Sequence, residues 1–153
     1  MRFVMYIGAA ITALAAITAL ALFMMPAAQL APERRTCTGN PDIDWDTQIG
    51  SCTALIQSSQ ETDRAGGYNN RGNAWRAKGD TDRAIADYDE AIQLDPKMAM
   101  AYYNRGVAWG AKGDLDRAIA DYDEAIKLDP KDAKAHKYRG YANGMSFSFL
   151  LLV

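Results

Sequence analysis

Two stretches of the chain carry the same pattern of apolar and polar positions. Ala65 to Met98 and Ala99 to Asp132 align without gaps at a period of 34 and agree at 26 of 34 positions. Each opens with aromatic and small residues at steps of three and four: Tyr68, Gly72 and Trp75, then Tyr102, Gly106 and Trp109. That spacing predicts a helix with one core-facing side. Lys-Gly-Asp follows. Gly79 and Gly113 suit the left-handed position that ends a helix. Asp80 and Asp114 suit the cap of the next one. The second helix is predicted to bury Ala84, Ile85, Tyr88, Ala91 and Ile92, and in the second copy Ala118, Ile119, Tyr122, Ala125 and Ile126. Leu-Asp-Pro then stops it, because Pro96 and Pro130 have no N–H to donate. The predicted fold is all-α, built from helical hairpins.

Worn copies flank the two full ones. Residues 44–57 match 80–93 in register, with Asp44 on Asp80, Ile49 on Ile85 and Cys52 on Tyr88. The stretch 43–60 is therefore predicted to be a degenerate half repeat, its helix preceding the unit 65–98 and the unit 99–132. A third copy starts at Ala133 and stops matching after Gly144. Residues 133–144 are predicted to form its first helix, with His136 and Asn143 where the full copies carry aromatics. The apolar tail 145–153 is too short to span a membrane. It is expected to fold back on the last unit or to meet another chain, and a truncated reading frame would also explain it.

The repeat resembles the tetratricopeptide repeat (TPR) family. Counted from Ala65 or Ala99, the aromatic at position 4, Gly at 8, aromatic at 11, Ala at 20, aromatic at 24, Ala at 27 and Pro at 32 are all present. The resemblance implies a right-handed solenoid with a concave groove lined by first helices, binding peptides or protein surfaces, and it implies no catalysis. One departure stands out: position 7, usually apolar in the family, is Arg71 or Arg105, and position 23 is Asp87 or Asp121. Such an arginine needs a carboxylate partner, so ion pairs between helices are expected. The alternative lays its stem on the core and its head in water.

The two copies differ only at positions 2, 3, 5, 9, 12, 17, 29 and 34. Positions 2, 5, 9 and 12 face the groove in TPR stacks. Asn69, Asn73, Arg76, Met100, Tyr103, Asn104, Val107 and Lys134 are therefore expected to line it. Drift at exposed positions is the plainer reading of the same differences. Some TPR proteins hold a chain's terminal carboxylate with lysines, asparagines and an arginine at set positions. Asn73, Asn104 and Lys134 match that set, whereas Asn69 and Tyr138 replace its lysine and arginine. The expected groove is thus neutral, aromatic and amide-lined, with weak peptide affinity.

Phe3 to Met25 is an uncharged apolar run of 23 residues after Arg2. As a helix it reaches ~35 Å, enough to cross a bilayer. Residues 1–30 are expected to be a cleaved export signal or an uncleaved anchor, followed by a linker over 31–42. The rest of the chain is then expected outside the cytoplasm, periplasmic or extracytoplasmic, touching the membrane only through that segment. Cys37 and Cys52 in such a chain point to a disulfide. Two buried thiols or a redox pair are the alternatives, though the spacing is not C-x-x-C.

Lys plus Arg number 17 and Asp plus Glu 19, a net charge of −2. That balance does not point to nucleic acid. No nucleotide-loop, hydrolase or zinc-protease motif occurs. The one histidine, His136, has no partner at catalytic spacing. No enzyme activity, cofactor or metal is expected. The functional expectation is a protein- or peptide-binding scaffold. The alternative is an assembly subunit whose incomplete third repeat and apolar tail self-associate.

Overall fold

The computed structural model describes residues 36–38, 43–58 and 61–150 of the 153-residue chain. The expected export segment, most of the linker and the last residues of the tail lie outside them. Among the described residues there are six helices and no strand: α1 Trp45–Ser58, α2 Glu61–Ala77, α3 Thr81–Leu94, α4 Ala99–Ala111, α5 Leu115–Leu128 and α6 Ala133–Leu150. None is long and apolar enough to cross a membrane. Each helix packs on its neighbours in sequence, and the first helices α2, α4 and α6 also touch in series. They form the inner face of the stack.

The boundaries follow local chemistry. Gly79 and Gly113 sit at φ +87° and +80°, a region that costs other residues strain. Asp80 and Asp114 then accept from the backbone N–H of Arg83 and Arg117, each at 3.1 Å. Asp44 caps α1 the same way through Thr47. The last helix departs from expectation. It runs past Gly144 to Leu150, because nothing there repeats the Lys-Gly-Asp stop. Helix α2 also begins at Glu61, upstream of the repeat unit proper.

The hairpins close on a tyrosine against a glycine. Tyr88 is fully buried in a cluster with Ala84, Ile85 and Ala108, and Trp75 and Trp109 pack against it. A Cβ on Gly72 would sit 2.7 Å from the Tyr88 ring, and one on Gly106 would sit 2.8 Å from the Tyr122 ring. Only glycine lets α2 approach α3, and α4 approach α5, this closely.

A repeated set of ion pairs then fixes hairpin to hairpin. Arg71 donates to both oxygens of Asp87 at 2.9 and 2.7 Å, and Arg105 to both of Asp121 at 2.9 and 2.6 Å. These pairs join the two helices of one hairpin. The remaining Nη1 of each arginine reaches back to the preceding unit. Arg105 meets Asp89 at 2.6 Å, and Arg139 meets Asp123 at 2.9 Å. Arg71 meets Thr53 at 3.1 Å, and Thr53 is the half repeat's counterpart of Asp89. Farther along, Lys78 pairs with Asp46 and Lys112 with Asp82, again one unit back. The expected Arg–Asp pairing is therefore formed, within repeats and across them. Arg83 and Arg117 cover the exposed faces of Trp75 and Trp109 at 4.6 and 4.5 Å.

A covalent link joins the described segment 36–38 to α1. Cys37 and Cys52 are disulfide-bonded, with Cα atoms 4.8 Å apart. Both are fully buried and cluster with Leu55. The bond lies on the core-facing side of α1, beside Leu55. Closing a loop of this size is worth ~3 kcal/mol in the chain-entropy model.

Two predictions follow from this packing. Asp121→Asn leaves a mostly buried arginine without its bidentate partner and should cost about 3 kcal/mol. Asp89→Asn removes a bond to a carboxylate that is 54% exposed and should cost less than about 1 kcal/mol. Equal shifts in denaturant midpoint would refute this ranking. Gly106→Ala forces the Tyr122 ring aside and should cost about 1–3 kcal/mol. Gly140 occupies the same repeat position with open space around it. Gly140→Ala should raise the melting temperature, by about 0.5–1 kcal/mol of helix propensity.

Candidate peptide-binding cleft

Position 9 and position 12 of α2, positions 2, 5 and 6 of α4, and the turn into α6 converge on one cleft. Asn73, Arg76, Met100, Tyr103, Asn104, Asp129, Lys131, Asp132, Ala133 and Lys134 line it, around a volume of about 620 Å³. Six of the eight residues expected to line a groove are in that wall. Asn69 and Val107 are not. Asn69 is buried, and its carbonyl accepts from the Asn104 amide at 2.9 Å. Its side chain ties α2 to α4 instead of facing a ligand. Val107 packs against the Ala118, Tyr122 and Ala142 cluster, because the third first-helix covers it.

Several polar groups in the wall are held within the fold, and three cations lack an acidic partner. Asn73 Oδ1 accepts from the Tyr88 hydroxyl at 2.8 Å. Asp129 accepts from the Lys131 N–H, and Asp132 from those of Lys134 and Ala135. Both carboxylates are thus held by their own turn. Arg76, Lys131 and Lys134 form no ion pair among the described residues. Met100 is 62% exposed, an apolar side chain held toward solvent.

An aromatic cluster adjoins the cleft. Tyr103 stands 6.0 Å from Tyr122 and 5.8 Å from Tyr138, ring centre to ring centre, and Tyr138 stands 6.1 Å from Tyr141. Tyr138 and Tyr141 are exposed and occupy positions 6 and 9 of the third unit. These two, with Lys131 and the turn aspartates, are functional candidates that the repeat comparison missed. The third unit was too short to compare, and the turn lysine is the same in both copies, so it carried no difference. Among the described residues no cluster of three or more histidine, cysteine or acidic side chains could hold a metal.

The family model of the tetratricopeptide repeat matches residues 69–133 and 110–143. Over these residues the described hairpins have the tetratricopeptide repeat fold. Solved TPR structures agree with that fold. The first TPR domain of human RPAP3 superposes at a TM-score of 0.70 with 21% identity, covering 76% of this chain and 90% of that one. The Arabidopsis OM64 TPR domain gives 0.63 at 25%, covering 66% and 82%. The TPR2B domain of yeast Sti1, in complex with pHsp70, gives 0.62 at 26%, covering 67% and 85%. No curated protein sequence matches the chain significantly. In this TPR-like array the cleft lies on the face built from first helices.

The buried tyrosines give the array a pH limit. Burial pushes the phenols of Tyr88 and Tyr122 up to about 12. The unfolded chain releases the same protons near 10. The folded state therefore holds protons that the unfolded state loses. Stability from this source is complete below about pH 10 and falls as pH rises toward 12. Tyrosinate absorbance and helical circular dichroism should change together for this pair. Complete tyrosine ionisation with the helical signal intact would contradict the burial.

Proposed function

We propose that the chain is a non-catalytic scaffold that holds a protein or peptide segment in this cleft, outside the cytoplasm. The observation that carries the reading is the set of cations without acidic partners in one concave wall. Arg76, Lys131 and Lys134 lack acidic partners there, and Met100 stands exposed among them. Isolated exposed apolar residues are ordinary, but one placed beside unpaired cations in a cleft is suited to a partner. The yeast Sti1 domain, at 26% identity, is a complex with pHsp70, which supports a polypeptide as the ligand class.

The location rests on other features. The apolar run Phe3–Met25 has the composition of an export or anchor segment. The disulfide fits an oxidising compartment. Neither a cofactor nor a metal belongs to this reading. The membrane enters only through the amino-terminal segment.

The test uses three exposed wall residues. The full chain carrying Arg76→Ala, Met100→Ala and Lys134→Ala should keep its helical signal and melting temperature. Its capture of partner from the membrane and extracytoplasmic fraction should fall at least about tenfold. Undiminished capture by a folded triple variant moves the binding site off this face.

A further inference from the structure

Helix α6 packs on α5 as the first helix of a full unit packs on the helix before it, yet no second helix follows it among the described residues. In the two full units an arginine and the glycine after it face an aspartate and the tyrosine after that. Arg71 and Gly72 meet Asp87 and Tyr88, and Arg105 and Gly106 meet Asp121 and Tyr122. In the third unit the same places hold Arg139 and Gly140. The turn glycine of the full units, Gly79 or Gly113, corresponds to residue 147, which lies inside α6. The backbone runs on where the other units turn back.

Arg139 keeps half of the usual bonding. Its Nη1 makes the junction bond to Asp123 at 2.9 Å, as Arg105 does to Asp89. Its Nε and Nη2 are the pair that grips Asp121 in the case of Arg105, and here they have no acceptor among the described residues. Gly72 and Gly106 are buried, whereas Gly140 is exposed, and a Cβ there would meet no described atom within 4 Å. An anchored guanidinium with two donors to give therefore stands beside a notch. Together they form the receiving half of a hairpin seam, suited to a carboxylate and a ring one residue apart.

Charge selects the occupant. Helix α6 carries Lys134, His136, Lys137 and Arg139 and no acid. Helix α3, which fills the equivalent place in the first unit, carries Asp82, Asp87, Asp89 and Glu90 against Arg83 alone. A second copy of α6 would set cation against cation. The Asp87–Tyr88 and Asp121–Tyr122 pairs of a second copy are buried in their own hairpins. Helix α1 has Ser51 and Cys52 at those places, with Cys52 in the disulfide. Asp44, ahead of Trp45, is held by Thr47 as the cap of α1. The described part of a folded second copy thus has no matching helix to give.

We propose that the exposed side of α6 docks an acidic amphipathic helix of a different polypeptide, one that presents an aspartate followed by an aromatic residue. The aspartate takes the Arg139 donors through both oxygens, and the ring enters the Gly140 notch. The third hairpin is completed between two chains. This site is separate from the cleft, which α6 lines through Ala133 and Lys134, and it does not rest on the groove reading.

The probe is the α5 sequence Leu115–Leu128 as a synthetic peptide, capped at both ends and held helical by a lactam staple on its outer side. It is titrated against the full chain by fluorescence anisotropy, and binding should saturate below about 1 mM. Asparagine in the peptide at the place of Asp121, or alanine at the place of Tyr122, should weaken binding at least about tenfold. In the full chain Gly140→Ala should do the same with an unchanged or higher melting temperature, because the added methyl meets the docked ring. Arg139→Lys keeps the charge, loses the paired donors and should weaken binding as well. A stapled peptide that does not bind, an asparagine peptide that binds equally, or a Gly140→Ala chain that binds equally overturns the proposal. So does a full chain that sediments as a dimer and becomes monomeric with Gly140→Ala, since the edge then belongs to a second copy.

Discussion

An arginine set into the seam between two helices governs this structure. Its stem is buried, so its charge must be met inside the protein or the hairpin does not close. The repeat answers with an aspartate sixteen residues ahead, on the facing helix of the same hairpin. That bidentate bond sets how the two helices lie. It also aims the third nitrogen outward, toward the unit before. There it meets a carboxylate sixteen residues behind in two cases, and a threonine in the half repeat. The Asp121 bond raises the Arg105 pKa further above its ordinary value, so the charge is permanent. The tyrosine–glycine contacts pack around this frame. They do not replace it, because apolar contact alone has no direction.

The cleft is a by-product of that frame. Joining successive hairpins through one arginine brings α2, α4 and α6 side by side, with their second helices behind them. Positions not needed for the seam then face a common hollow. Some are still drawn into structure. Asn69 and Asn104 bridge two first helices and rigidify the wall by fixing each other's amides. What remains facing the hollow is a small set of cations without acidic partners and a few apolar surfaces.

Much of this was readable from the chain itself, and the parts that were not have specific causes. The period of 34, the glycine stops, the aspartate caps and the arginine–aspartate pairing all depend on residues close in sequence or repeated in it. Asn69 was assigned to the groove because its position varies between copies. Variation cannot tell an exposed residue from one paired with a residue in the next unit. Val107 is placed by a similar cause, since the residues it packs on include Ala142 of the worn third unit. The Thr53 contact follows the same register as the Asp89 contact, but threonine is not recognisable as a carboxylate's stand-in until the arginine is seen beside it. The run of α6 to Leu150 shows a different limit. An absent stop signal is weaker to the eye than a present one.

The bonds between units have one more consequence. The cation bonds across the junctions join fixed repeat positions, the arginine at position 7 to position 25 of the unit before and the lysine at position 14 to position 18. These charged seams are therefore interchangeable, like links stamped from one die. Duplication of a whole 34-residue unit within the coding sequence would reproduce both seams unaltered and lengthen the hollow by one unit. An insertion of any other length would put the arginine opposite the wrong side chain. Such a protein can change its reach in a single genetic step, and only in steps of one size.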